Sequence, residues 1–152
     1  MATTILVKQT NGTTLGVVAS LPATYDGTGY NALTFVSCGE ILSIGEISKT
    51  YSVLSHQSVG RAYPLKIKDT YDISNVSFTM ARVSGDAGQD ILQTAIGSAT
   101  SISFKITLPS GATEQFTGKV IKIGLGAVAP SGVETIVMDV SIDVESLYET
   151  GI

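Results

Sequence analysis

Residues 76–144 read as strand, capped short helix, strand, Gly/Pro turn, strand, long turn and strand. The last of these, residues 134–145, is the cleanest: Ile136, Met138, Val140, Ile142 and Val144 alternate with Thr135, Val137, Asp139, Ser141, Asp143 and Glu145. A period of two places one set on each face of a sheet. One face is apolar, and the other carries Asp139, Asp143 and Glu145 with almost no compensating base. The same period marks residues 76–83 through Val76, Phe78 and Met80. It marks residues 101–108 through Ile102, Phe104, Ile106 and Leu108. Pro109-Ser110-Gly111 then turns the chain, and residues 112–123 return as the second arm of a hairpin.

One helix interrupts the strands. Asp86 is placed as its N-cap, and Gln89 three positions on completes a capping box. Ile91, Leu92, Ala95 and Ile96 form one apolar stripe, and Gly97 stops it, so a helix is predicted over about 86–97. Upstream the pattern is weaker. Residues 5–9 predict a short strand before the Asn11-Gly12 turn. Residues 15–21 form a second apolar run, and residues 22–31 read as loop. Residues 1–32 together resemble an arm or an extended edge. Residues 33–47 predict one or two strands with a bulge at Gly39. Residues 49–64 are polar with little periodicity and read as one long loop anchored by Tyr51, Leu54, Val59 and Tyr63. Residues 65–68 start a strand, and residues 69–75 read as turn.

The chain has 152 residues, which predicts a single domain, 1–152. A chain of this size buries about two-thirds of its unfolded surface. Charged residues are only 14%, against a usual quarter or so. That deficit points to surface hidden in an assembly, or to a sheet protein covered by Ser and Thr hydroxyls. Net charge is −4 with no run of Lys or Arg, which argues against phosphate-gripping nucleic-acid binding. Cys38 is alone, so no intrachain disulfide forms. Met1-Ala2-Thr3-Thr4 lacks the basic and apolar regions of a signal peptide. No stretch approaches the roughly 20 apolar residues of a membrane helix, so membrane insertion is not expected.

The search for chemistry yields little. His56 is the sole histidine and has no metal-ligating company in sequence, so a solvated or structural role is expected. Cys38 lies in an apolar run, where a buried inert thiol is expected. Gly111 to Lys119 has the wrong spacing for a phosphate loop, and Val120 stands where a hydroxyl belongs. Asp69, Asp72, Asp86 and Asp90 fit turns and caps better than a calcium loop. Asp143 and Glu145 are expected on one side of a strand, about 7 Å apart, a common solvated arrangement. No catalytic residue, metal site or cofactor is predicted, and the chain is not read as an enzyme.

The order of elements carries a resemblance. A strand ends near Arg82. Asp86-Ala87-Gly88-Gln89 opens a short helix. A strand, a Pro-Ser-Gly hairpin, Phe116-Thr117-Gly118-Lys119-Val120 and a terminal alternating strand follow. With Cys38-Gly39-Glu40-Ile41 upstream, residues 33–146 resemble the tail tube (major tail) proteins of long-tailed bacteriophages. That family shares its fold with the inner tubes of contractile tails and type VI secretion machines. The resemblance implies a mainly β fold, a two-sheet β-sandwich or open barrel with one short flanking α-helix. It implies a structural virion protein of the tail, assembled in the host cytoplasm. Hexameric rings would stack into a tube that conducts DNA during ejection. Its implied partners are copies of itself, tape measure and terminator proteins, and DNA in non-specific transit.

Under that resemblance Asp139, Asp143 and Glu145 are expected to face the channel, where acidic or neutral walls avoid gripping phosphates. Tyr51, Leu54, His56, Val59, Arg61 and Tyr63, within 49–64, are expected to contact the next ring. Alternatives from other classes stay open: a secretion-tube, tail-completion or capsid-decoration protein, or a monomeric β-barrel holding a small apolar ligand.

Overall fold

The computed structural model describes residues 11–130 and 132–150; the strand expected at residues 5–9 lies outside them. In chain order the elements are β1 (Thr14–Val18), α1 (Gly27–Asn31), β2 (Val36–Cys38), β3 (Ile41–Ile44), β4 (Lys49–His56), β5 (Leu65–Ile73) and β6 (Val76–Ala81). There follow α2 (Ala87–Ile96), β7 (Ile102–Thr107), β8 (Thr113–Leu125), β9 (Thr135–Ile142), a 3-10 turn (Val144–Ser146) and β10 (Tyr148–Thr150). The fold is mainly β, with two sheets and few helices.

Among the described residues the larger sheet has eight strands, seven in the antiparallel order β2-β1-β7-β8-β9-β6-β3 and β10 beside β8. β8 is long: β9 pairs its second half, and β10 pairs its first three residues. β2 and β3 stand at opposite ends of this order, yet only Gly39 and Glu40 separate them in sequence. Such a connection requires the sheet to curl until its ends approach. The rings inside show the curl. Phe78 on β6 and Phe104 on β7 would sit roughly 14 Å apart in a flat sheet, three strand spacings. Their centroids are 6.3 Å apart, and Phe104 stacks on Phe116 of β8 at 5.1 Å. Leu15, Val17, Met80, Met138 and Val140 fill the rest of the interior.

Helix α2 adds Leu92 and Ala95 to that core. Its first turn lies so close to β2 that a Cβ on Gly88 would stand 2.6 Å from Cys38 Sγ. Asp86 caps the helix as expected, accepting from Gln89 N at 3.3 Å, and also accepts from Gly39 N at 3.2 Å. The Gln89 side chain does not close the capping box. It turns back to β6, donating to Ala81 O at 2.8 Å and accepting from Val83 N at 3.1 Å. The cap therefore ties the helix start to the β2–β3 corner, where Glu40 adopts a left-handed φ of 56° and its carbonyl accepts from Ala81 N.

A second, hydroxyl-rich layer lies on the other side of β7 and β8. Fully buried Tyr30 of α1 donates to Ser146 O at 2.6 Å, and its hydroxyl meets Thr117 Oγ1 at 3.1 Å. Ser146 Oγ receives Thr117 N–H at 3.0 Å. Ser103 donates to Ser20 O at 2.9 Å. Buried Ser and Thr here exchange protein hydrogen bonds for lost water, which makes their burial tolerable.

Several sequence expectations are corrected. Residues 22–31 are not all loop. Asp26 caps α1, accepting from Gly29 N at 2.9 Å and Thr24 Oγ1 at 2.7 Å. Those bonds, Gly29's foremost, lower its carboxyl pKa. The irregularity expected at Gly39 lies between Ile41 and Ser43, and residues 38–41 form a corner between two strands rather than a bulged one. The long loop of 49–64 and the turn of 69–75 are also overturned, because β4 and β5 pair there as a hairpin. Both faces of that ribbon meet solvent, so no buried side imposed a period of two.

Candidate assembly surface

The second sheet is this hairpin, β4 with β5. Its root is held. Ile73 is buried, Ser74 N donates to Ser48 O at 3.1 Å, and Gly45 N donates to Ser77 O at 2.6 Å. Beyond the root every residue of both strands is exposed. The register places Leu54 opposite Ile67 and His56 opposite Leu65 on one face. Val53 opposite Lys68, Ser55 opposite Lys66 and Tyr51 opposite Tyr71 form the other. One extra residue of β5 is absorbed between the Tyr51 and Val53 pairs, so the two faces stay in phase on either side of the irregularity.

The basic face is organised. Tyr51 and Tyr71 have ring centroids 5.2 Å apart. Lys68 Nζ lies 4.0 Å from the Tyr51 centroid, and Lys49 Nζ 4.9 Å from that of Tyr71. Such cation–π contacts contribute about 0.5–1 kcal/mol each at exposed sites. The other face is apolar without cover: Leu54 and Ile67 are 55% and 53% exposed. In the connecting loop Val59 and Tyr63 project outward, while Gln57 Nε2 donates to Arg61 O at 2.8 Å and braces the tip. Residues 49–73 hold four of the nine basic side chains and two of the thirteen carboxylates. The ribbon is thus locally basic on an acidic protein.

Of the residues expected to contact the next ring, Tyr51, Leu54 and His56 lie on β4, and Val59, Arg61 and Tyr63 lie in the tip. Sequence reasoning missed their partners Val53, Leu65, Lys66, Ile67, Lys68 and Tyr71. The alternation of Leu65 and Ile67 with Lys66 and Lys68 was the available signal.

The acidic set is divided. Asp139 lies on β9 facing away from the core, accepting from Ser77 Oγ at 2.7 Å. It stands opposite Lys122 in register, and Lys119 stands opposite Ser141. The face is therefore not without compensating base, as the isolated strand pattern had implied. β9 ends at Ile142. Asp143 begins the 3-10 turn and accepts from Ser101 Oγ at 3.1 Å, and Glu145 sits exposed within that turn. The expected same-side pairing of Asp143 and Glu145 on a strand does not occur, because the turn breaks the period.

His56 is exposed on β4. Burial, with Asp86 nearby, pushes the Cys38 thiol up to about 12, so it stays protonated and unreactive at neutral pH. Among the described residues no group of three or more His, Cys, Asp or Glu is placed to hold a metal ion. No helix among them is long and apolar enough to cross a membrane.

No protein-family model and no curated protein sequence matches the chain. Solved structures do. A chain of the SPP1 tail tube superposes with a TM-score of 0.66 over 92% of this chain and 77% of its own, at 12% identity. The fold is shared with a phage tail tube. A chain of the anti-feeding prophage (AFP) baseplate gives a TM-score of 0.65 over 99% of this chain and 98% of its own, at 8% identity. A chain of the sheath–tube complex of an extracellular contractile injection system gives 0.57 over 92% and 88%, at 12% identity. At such identities the tail-tube likeness is one of fold. It agrees with the architecture that the element order implied.

Proposed function

We propose that this chain is a structural subunit of a phage tail tube, in which copies close into rings, six to a ring, and the rings stack. The observation that carries the reading is the β4–β5 ribbon, mounted on a domain with the tail-tube fold. A two-stranded ribbon is at best marginally stable alone in water. Here it exposes apolar side chains on both faces. Burying a Leu or Ile fully contributes about 1.5–3 kcal/mol, and Leu54 and Ile67 have about half of that still to gain. Self-association supplies the missing cover. The reading also accounts for a charged content of 14%, since the sides and both ends of a tube subunit are interfaces.

In this reading the face bearing Asp139 borders the channel. With Lys119 and Lys122 beside it the wall is mixed rather than strongly acidic, which still avoids a continuous cationic track for phosphates. Asp139→Lys with Asp143→Lys slows DNA ejection from assembled tails. Unchanged ejection kinetics in that double variant remove these residues from the channel wall. Tape measure and terminator proteins are the further partners, and the virion tail is the site of action.

A ligand-carrying monomeric barrel is less well supported, because Phe78, Phe104 and Phe116 fill the interior where a ligand would sit. Negative-stain microscopy of the concentrated protein separates the readings. Long hollow tubes of uniform width support the tail tube. Isolated rings favour a tail-completion or decoration role, and particles that remain single at every concentration refute assembly.

A further inference from the structure

Two dipeptides of the chain set a side-chain carbonyl directly before a glycine, Asn11-Gly12 and Asp26-Gly27. In each, the glycine nitrogen can attack that carbonyl carbon, since no Cβ crowds the approach. The structure separates the two. Asp26 caps α1, and its carboxylate accepts from Gly29 N at 2.9 Å and Thr24 Oγ1 at 2.7 Å. Such bonds favour the ionised form, which is a poor electrophile. Asn11 and Gly12 are exposed in the turn ahead of β1, and Gly12 has a left-handed φ of 96°. The Asn11 side chain is a neutral amide with ammonia as its leaving group. The other asparagines are shielded. Asn31 ends α1. Asn75 precedes Val76, which is β-branched, fully buried and paired with Val140.

We propose that Asn11-Gly12 is a self-modifying site, at which the folded chain deamidates. Gly12 N gives its proton to a solvent base and attacks Asn11 Cγ. A C–N bond forms and closes a succinimide ring. The bond from Cγ to the side-chain nitrogen breaks, and ammonia leaves. Water then opens the ring. Attack at the side-chain carbonyl leaves an aspartate at position 11. Attack at the main-chain carbonyl leaves isoaspartate, whose backbone is longer by one methylene. One water is consumed and one ammonia released, with no change of oxidation state.

The position gives this chemistry a consequence. In register, Thr14 of β1 lies beside Thr107, and Thr107 beside Thr113. The Asn11 turn therefore belongs to the end of the sheet that holds Glu114 and the opposing Glu149. A Cβ on Gly12 would stand 3.7 Å from Pro109 Cγ, so the turn sits against the β7–β8 connection. Deamidation adds a carboxylate to that end and takes the formal net charge one unit below −4. β1 begins only at Thr14, so Leu15 and Val17 keep their buried places in either product. The two forms differ in surface charge and share one fold. None of this depends on the tube-building reading.

The full chain, kept folded in mildly alkaline buffer, provides the test. Isoelectric focusing is expected to show a more acidic band that grows with first-order kinetics, faster as pH rises. Peptide mapping is expected to place the change at position 11, with isoaspartate among the products. Asn11→Gln, whose longer side chain disfavours ring closure, is expected to abolish the band and leave the melting temperature unchanged. A folded chain that stays intact at Asn11, while the chain unfolded in guanidinium converts there, overturns the proposal. So does an acidic band that maps to Asn31 or Asn75, isoaspartate that forms at Asp26 before Asn11, or a band that persists in the Asn11→Gln variant.

Discussion

The curled sheet and the hairpin are built from the same kinds of residue and come to opposite ends. On β6 to β9, Val, Ile, Phe and Met point inward and are buried. On β4 and β5, Val, Leu, Ile and Tyr stand in solvent. The sheet pairs its strands and buries its inner face within one chain. The hairpin pairs its strands but buries neither face. Under the proposed function this contrast divides folding from assembly: substitutions in the sheet are expected to act on the stability of the monomer, and substitutions in the ribbon on what the monomer joins.

The sharpest way to break the contrast compares one substitution of each kind. Phe104→Ala, at the centre of the ring stack, is expected to cost about 3–5 kcal/mol of stability in urea denaturation. Leu54→Ser with Ile67→Ser is expected to stay within about 1 kcal/mol of wild type, as exposed positions do, yet to abolish tubes by microscopy. If the ribbon pair unfolds the chain as severely as the core substitution, the division fails.

A smaller effect sharpens the sheet side. Tyr30→Phe keeps the ring but deletes the hydroxyl that serves Ser146 O and Thr117. The loss is expected at about 1–2 kcal/mol, from buried polar groups left without a partner. Assembly, driven elsewhere, is unchanged at temperatures where the variant is folded.

The smallest effect is electrostatic. Burial, and secondarily Glu149, raise the Glu114 carboxyl pKa above its usual value. A raised carboxyl favours the protonated form in the folded state. Its stabilising contribution is present below the unfolded value and is lost as pH rises through the folded one. Glu114→Gln is therefore expected to raise the melting temperature slightly at pH 7, with the gain vanishing below about pH 4, near the unfolded carboxyl value. Solvent screening keeps this effect small, since the side chain is only partly buried.

Legibility in the sequence follows the same division. β6, β7 and β9 were readable because one face of each is buried and enforces a period of two. The α2 cap was readable because its chemistry is local, although the second bond of Asp86, to Gly39, links positions 47 apart and leaves no local trace. The hairpin was hidden because neither of its faces is buried. α1 was hidden because two of its five residues are glycines, Gly27 and Gly29. Asp143 and Glu145 misled because Val144 continues the alternation in sequence after the strand has ended in space. The region expected to bear assembly contacts was read as a loop, whereas residues 49–56 and 65–73 pair as a hairpin. Half of its surface, on β5, was unmarked because pairing across a hairpin is a tertiary fact.

Amide hydrogen exchange, compared between the free chain and assembled protein, tests the division most directly. The account predicts fast exchange along residues 49–73 in the free chain and strong protection of the same amides after assembly, with β7 to β9 protected in both. A hairpin already protected in the monomer, or one that still exchanges fast in assembled protein, contradicts it.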